Sequence, residues 1–253
     1  MKICFLENKL PALSVHAIIQ FVIGDHMKKS LTEGAIGKSL ILFSLPMIAG
    51  NLLQQLYNVA DTLIVGQTIG AEALAAVGSA YALMVLLTSI ILGLCMGSGV
   101  VFSQLYGAKR ETDLRISIAN AFVLILIVSA LLCILAYLLL DQLLIWLQIP
   151  EEAYHHAKEY LSVIFSGILF VFLYNFFAAV LRSVGNTVIP LLILAVSALT
   201  NIGLDLAFIL LFDMSVKGAA WATVAAQGVS ALCVILYFFY REKEVCPRKE
   251  HLH

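Results

Sequence analysis

The chain has 253 residues, of which 62% are hydrophobic and 12% charged, and its formal net charge is −1. Soluble domains carry roughly 25% charged and roughly 45–50% apolar residues, so this composition cannot cover a surface that faces water. It indicates a protein of the lipid bilayer, and the balanced charge argues against a nucleic-acid partner.

The first 30 residues are interpreted as an N-terminal extension. Their apolar stretch is short and is interrupted by His16 and Gln20, so it makes a poor secretory signal. Met27, followed by two lysines, resembles a natural start. We expect residues 1–30 to be disordered or not native to the protein.

Six long apolar runs follow between residues 31 and 240. They cover residues 39–62, 74–100, 116–140, 157–181, 188–212 and 217–240. Each exceeds the ~20 residues that a helix needs to cross a ~30 Å hydrocarbon core. Because backbone polar groups in lipid must be paired within their own segment, the runs predict six transmembrane helices in an all-α integral membrane domain.

Two of the connections carry local signals. The segment DQLLIWLQIPEEAYHH, residues 141–156, predicts a short helix at the membrane interface, because Trp146 lies among alternating Leu and Ile residues. The segment RSVGNTVIP predicts a turn at Gly185 and Asn186, with Pro190 near the start of the next helix.

Basic residues predict the orientation of the six spans. Thirteen of the 15 lysines and arginines fall on one side of a six-span arrangement: Lys2, Lys9, Lys28, Lys29, Lys38, Lys109, Arg110, Arg115, Arg182, Arg241, Lys243, Arg248 and Lys249. Lys158 and Lys217 fall on the other side. This bias predicts a multi-pass protein of the cell membrane with both termini, including a charged tail at residues 241–253, in the cytoplasm.

Two carboxylates lie inside the runs, Asp61 in the first and Asp205 in the fifth. An ionisable group at membrane depth costs a few kcal/mol and is a functional candidate for that reason. At ~1.5 Å of rise per residue, Asp61, Asp205 and Thr223 of the sixth run share one level in the outer half of the membrane. Tyr160, near the outer start of the fourth run, would bring a phenol to a similar depth.

Helical spacing groups the polar residues into stripes that would face the interior of the bundle. The stripes are Gln54, Tyr57, Asn58 and Asp61 on the first helix, Asn201 and Asp205 on the fifth, and Thr223 and Gln227 on the sixth.

Carboxylate, amide and hydroxyl oxygens together suit a small hard cation such as Na⁺, and buried carboxylates also accept protons. The alternatives are that each Asp reaches the outer interface, or makes a purely structural hydrogen bond between helices. For Asn175 in the fourth run, a substrate contact and an interhelical hydrogen bond are both open. Pro46 should kink the first helix, either as a fixed bend or as a moving hinge.

The sequence offers no support for enzymatic chemistry. The five cysteines are scattered and indicate small packing residues. His155 and His156 are adjacent and therefore point in different directions on a helix, unlike an i, i+4 metal pair. The sequence has no Gly-rich phosphate loop, so an ion gradient, rather than ATP or another cofactor, is the expected energy source.

From Leu31 to about Tyr240 the chain resembles the N-terminal lobe of a multidrug and toxic compound extrusion (MATE) transporter. The resemblance rests on LTEGAIGKSLILFSLPMIAGNLLQQLYNVADTLIVGQTIGAEALAAVG, QLYGAKR, LRSVGNTVIP and NIGLDLAFI. It implies an antiporter of two six-helix lobes (6+6) that exports cationic or amphiphilic drugs in exchange for Na⁺ or H⁺.

Carried over residue by residue, the resemblance assigns the cation site to Asp61, Asn201, Asp205 and Thr223, with Tyr160 beside it. It places Gln54, Tyr57 and Asn175 on the substrate cavity and makes Pro46 the helix hinge. The chain has one lobe of the expected two. We favour a truncated product, and the alternatives are pairing with a separate second lobe or self-association.

Two other functions stay open at this point. A lipid-linked oligosaccharide flippase of the same superfamily would need several basic residues along its cavity, and the runs contain almost none. A non-transporting membrane interaction fragment would bind no coupling cation.

Overall fold

The computed structural model describes the backbone of residues 36–241 and the side chains there except at 36, 38, 39, 42, 71 and 72. The described residues form helices and no strand. The helices are α1 Ile36–Thr68, α2 Ala71–Gly107, α3 Glu111–Leu138, α4 Leu140–Trp146, α5 Glu151–Ser166, α6 Ile168–Ser183, α7 Val188–Leu206 and α8 Val216–Arg241. The predicted extension at 1–30 and residues 242–253 of the predicted tail lie outside the described residues.

Four of the described helices are long and apolar enough to cross a membrane: α2, α3, α7 with its continuation to Leu211, and α8. Helices α5 and α6 form a fifth span if they are taken as one bent pair. These five correspond to the second to sixth apolar runs. Helix α1 coincides with the first run and has the length of a span, at 33 residues. An all-α membrane lobe is confirmed.

The fourth run differs from the prediction of one uninterrupted helix over 157–181. Helix α5 begins earlier, at Glu151, and ends at Ser166. After Gly167 the chain continues as α6, which is bent by 44° relative to α5. The Gly167 N–H donates to the Ile164 carbonyl oxygen at 2.8 Å, which tightens the last turn of α5. A Cβ at Gly167 would lie 2.8 Å from Oε1 of Gln227 and 3.0 Å from Cγ2 of Val224, so α8 packs directly on bare backbone at the break.

The fifth run also departs from a single α-helix. Helix α7 ends at Leu206, and a π-helical segment, Ala207–Leu211, completes the run. Asp205 therefore lies immediately before the change of helix type. Short π-helical segments are rare in proteins overall, and those that do occur are often found at functional sites.

Helix α8 contacts α5, α6 and α7, and α2 contacts α3, α5 and α6, while α1 packs mainly on α7 and lightly on α2. We call the end where α1 begins and α2, α6 and α8 finish the proximal end, and the opposite end the distal end. Aromatic rings from α2, α3, α6 and α8 fill the core towards the proximal end: Phe102, Phe122, Phe172, Phe176, Phe177 and Phe238. The polar residues predicted from the sequence lie nearer the distal end.

The turn and the short helix that were predicted for two of the connections are present in the structure. Gly185 adopts a φ of +91°, which favours glycine, and Asn186 Oδ1 accepts from the Ile189 N–H at 3.3 Å in the first turn of α7. The segment after α3 forms the short helix α4, at the end of which the Trp146 side chain is exposed.

Ion pairs cross-link the distal end. Lys158 Nζ lies 2.5 Å from Asp141 Oδ1, and Lys217 Nζ lies 2.7 Å from Glu159 Oε1. Tyr154 donates its hydroxyl to Asp141 at 3.1 Å. The hydrogen bonds from Lys158 and Tyr154 hold the pKa of the Asp141 carboxyl below its ordinary value. Lys158 and Lys217, which the sequence places across the membrane from the other thirteen basic residues, are therefore both ion-paired.

Candidate functional site

Five of the polar residues predicted from the sequence are buried. Asp61 of α1, Asn201 and Asp205 of α7, Thr223 of α8 and Tyr160 of α5 are each at most 8% exposed, and Asp205 is fully buried. Burial on four different helices requires that these side chains face the interior of the lobe. None of the five reaches the lobe surface, so the alternative in which each Asp extends to the interface does not apply.

The Asp61 and Asp205 carboxyl groups lie within hydrogen-bonding reach of each other. Asn201, one turn before Asp205, donates Nδ2 to Oγ1 of Thr223 at 3.3 Å. The pair of carboxyl groups thus joins α1 to α7, and the Asn201–Thr223 bond joins α7 to α8. We call Asp61, Asn201, Asp205, Thr223 and Tyr160 the carboxyl cluster.

Several oxygen atoms of the cluster lack a hydrogen-bond donor. Asp61 Oδ1, Asn201 Oδ1 and both carboxyl oxygens of Asp205 are buried and accept no hydrogen bond from the described residues. Two carboxylates that face each other are both acceptors, so their contact becomes a hydrogen bond only when one of them carries a proton. Buried polar atoms normally have partners, and buried charges are normally neutralised. The cluster therefore has the composition of a site for a proton or a small cation.

Two phenols lie within electrostatic range of the carboxyl pair. Tyr160 and Tyr57 are both close enough to Asp61 and Asp205 to interact with them electrostatically. Tyr57 lies one turn before Asp61 on α1, so its hydroxyl shares the same side of that helix. The structure brings Tyr57, which the sequence assigns to the substrate cavity, next to the cluster.

The remaining predicted residues lie apart from the cluster. Gln54 is exposed on α1. Asn175 is half-buried and donates Nδ2 to the Val171 carbonyl oxygen of its own helix at 2.8 Å. Pro46 lies within α1, which continues as a helix on both sides of it. Their assignment to a cavity and a hinge stays a prediction.

One residue that supports the cluster was missed by sequence reasoning. Ser197, buried one turn before Asn201, donates its hydroxyl to the Ala226 carbonyl oxygen of α8 at 2.8 Å. It adds a second hydrogen bond between α7 and α8 beside the Asn201–Thr223 bond. The signal was present in the sequence, because Ser197, Asn201 and Asp205 follow an i, i+4, i+8 stripe.

Known proteins resemble the chain over most of its length. The family sequence model described as MatE matches residues 46–207, a region that includes Asp61, Asn201 and Asp205. YpnP, a probable multidrug resistance protein of Bacillus subtilis, is 36% identical over 207 residues, which cover 81% of this chain and 46% of the relative. NorM, a probable multidrug resistance protein of Thermotoga maritima, is 30% identical over 218 residues, covering 85% of this chain and 47% of that protein.

A solved structure shares the fold. The crystal structure described as MATE in the straight conformation superposes with a TM-score of 0.80 at 26% identity, covering 89% of this chain and 51% of that one. The chain thus spans about half the length of the relatives that it matches.

Proposed function

Because the chain belongs to the MATE family of membrane transporters, we propose that it forms the cation-binding lobe of a secondary transporter for multidrug efflux. The transporter exports amphiphilic or cationic drugs and takes up Na⁺ or H⁺ in exchange. The observation that carries this proposal is the buried contact between Asp61 and Asp205, whose oxygens lack donors among the described residues.

The side chains of the carboxyl cluster fit either coupling ion. Na⁺ takes hard oxygen ligands, and the cluster offers two carboxylates, the Asn201 amide oxygen and the Thr223 hydroxyl. A proton shared between Asp61 and Asp205 would remove one of the two charges and give the other carboxylate a donor. Each ion relieves the same repulsion, so the site accommodates either Na⁺ or H⁺.

Binding of the ion couples to the position of α1. Helix α1 carries Asp61 and packs mainly on α7, which carries Asp205. An ion between the two carboxyl groups draws α1 against α7, and its release allows the like charges to separate the helices. The half of α1 that holds Pro46 and Gln54 moves with it, and this changes the cavity in which the drug binds.

The chain works in the cell membrane with both ends in the cytoplasm, as the bias of its basic residues favours. Its partners are the bilayer lipids, the drug and a second six-helix lobe, on a separate chain or on a second copy. The proposal of a second lobe rests on the length of the relatives, about twice that of this chain. A flippase for anionic lipid-linked sugars is disfavoured, because the buried cluster is acidic.

Thermal stability of the purified chain in detergent tests cation binding directly. The melting temperature is measured against NaCl, with choline chloride keeping the ionic strength constant, and separately against pH. We expect one of the two ions to raise the melting temperature of the wild type, since a ligand that binds only the folded state stabilises it. We expect Asp205→Asn to remove that response.

Asp213→Asn is the matched control, because Asp213 is exposed on the turn after the π-helical segment and its φ of +51° suits Asn. This variant should respond to the cation as the wild type does. A response that survives in Asp205→Asn would contradict the proposal, and a non-transporting fragment would show no response in any variant.

A further inference from the structure

The C-terminal segment of α5, Tyr160 to Ser166, carries one member of the carboxyl cluster and ends at the break in the span. Tyr160 lies two residues before Ser162, and Gly167 follows at the break. The orientation of this segment therefore determines where the Tyr160 hydroxyl lies relative to Asp61 and Asp205.

Two side chains of α3 donate hydrogen bonds to backbone carbonyl groups of this segment. Tyr137 donates its hydroxyl to the Ser162 carbonyl oxygen at 2.6 Å, and Cys133 donates Sγ–H to the Phe165 carbonyl oxygen at 3.3 Å. Cys133 and Tyr137 are four residues apart and therefore share one face of α3. The Tyr137 ring also packs edge-on against the Phe165 ring, with centroids 5.7 Å apart.

The break explains why the Phe165 carbonyl group needs a side-chain donor, whereas the Ser162 carbonyl group lies within α5 and its bond to Tyr137 ties that helix to α3. In an unbroken helix the Phe165 carbonyl oxygen would accept from the N–H four residues later, and the turn at Gly167 interrupts that pattern. Cys133 supplies a donor in its place. The sequence indicated only a packing role for Cys133, because a helix break at residue 167 was not expected.

The end of the same segment also packs against α8, which carries part of the cluster. Val224 and Gln227 contact Gly167, and Thr223 precedes Val224 directly. The Asn201–Thr223 bond then leads to α7 and Asp205. The end of α5 is thus fixed by α3 on its carbonyl groups and by α8 at the break.

We propose that Tyr137 and Cys133 are positioning residues for the coupling ion: their hydrogen bonds to the end of α5 hold that helix, and Tyr160 with it, in place at the carboxyl cluster. They act through Tyr160 and do not touch the ion. This inference rests on the proposed function, since it concerns the same site.

The decisive variant is Tyr137→Phe, which removes the hydroxyl and keeps the ring contact with Phe165. The melting temperature in detergent is measured as a function of ion concentration, and the midpoint of this titration is determined for four proteins. These are the wild type, Tyr137→Phe, Tyr160→Phe and the double variant. Tyr137→Phe should weaken the apparent affinity for the ion by about three- to tenfold, the range expected for one lost hydrogen bond. In the Tyr160→Phe background the same change should have no further effect, because Tyr137 acts through Tyr160.

Two controls separate positioning from general loss of stability. Tyr154→Phe removes a hydroxyl from α5 that bonds Asp141, so it should leave the midpoint unchanged. Cys133→Ser keeps a donor and should retain the wild-type midpoint, whereas Cys133→Ala should shift it in the same direction as Tyr137→Phe.

The outcomes separate the two claims. A wild type whose melting temperature responds to neither ion overturns the proposed function and this inference with it. A wild type that responds, with equal midpoints in Tyr137→Phe and Tyr154→Phe, overturns the inference alone. Additive shifts of Tyr137→Phe and Tyr160→Phe also overturn it, because Tyr137 would then act by another route.

Discussion

Four carboxylates towards the distal end of the lobe divide into two pairs with opposite surroundings. Asp141 and Glu159 each face a lysine within 2.7 Å, and Asp141 also accepts from a tyrosine. Asp61 and Asp205 are buried and face each other, and no lysine or arginine of the described residues forms an ion pair with either of them. The first pair is satisfied by the protein, and the second requires something else to neutralise it.

The difference shows which acids serve the fold and which serve binding. Ion pairs at a surface contribute little to stability, and these two join α5 to α4 and to α8. A buried pair of like charges costs stability and is expected where a ligand compensates for it. Substitutions in the two regions should therefore have effects of very different size.

The largest effect is expected at the helix break beside the carboxyl cluster. Gly167→Ala would bring a Cβ within 2.8 Å of Gln227 Oε1 and within 3.2 Å of the Ile164 carbonyl oxygen, which is backbone. We expect a loss of about 1–3 kcal/mol in the free energy of unfolding, the usual cost of overpacking, measured as a fall in melting temperature. Gly93→Ala is the control, because a Cβ at Gly93 meets nothing within 4 Å. Equal stability of the two variants would contradict the packing at the break.

A smaller effect is expected within the cluster. Thr223→Val keeps the shape of the side chain and removes the oxygen that accepts from Asn201. The loss should be about 1 kcal/mol, since a buried donor is left without its partner. The control is Thr200→Val, because the Thr200 hydroxyl bonds only the Val196 carbonyl oxygen of its own helix. A melting temperature of Thr223→Val no lower than that of Thr200→Val would count against the bond between α7 and α8.

The smallest effect is expected at the distal ion pairs. Lys158→Gln should leave the melting temperature unchanged at neutral pH, because both partners are largely exposed. The lowered pKa of Asp141 sets the sign of the pH dependence. Any contribution is present above the ordinary pKa of 3.8 and is lost as the pH falls through the lower value in the folded protein. A fall in melting temperature as large as that of Thr223→Val would show that the two regions do not differ as described.

The sequence was sufficient to predict the positions of the spans and the main residues of the cluster. Apolar runs longer than ~20 residues leave a helix as the natural structure in lipid, so five spans and α1 lie where the runs predict. Asp61, Asn201, Asp205 and Thr223 were found because polar groups at helical spacing stand out in an apolar background.

The details that depend on neighbouring helices were not predictable. Gly167 looks like any glycine of a membrane helix until Val224 and Gln227 are known to pack on it. The hydrogen bond of Cys133 follows from that break, the hydrogen bond of Tyr137 depends on how α3 packs on α5, and the π-helical segment after Asp205 has no local sequence signal. Periodicity shows which face of a helix is polar, whereas the partner of each polar group is decided by tertiary packing.

The most direct test of the central claim is a double-mutant cycle on the carboxyl pair. Melting temperatures of Asp61→Asn, Asp205→Asn and the double variant are compared with the wild type in Na⁺-free buffer at high pH. We predict that either single substitution stabilises the protein, because it removes the repulsion and gives the remaining carboxylate an amide donor. The double substitution should add no further gain, with a coupling of about 0.5–3 kcal/mol. Effects that simply add would contradict the account, because the two carboxyl groups would then not share one buried site.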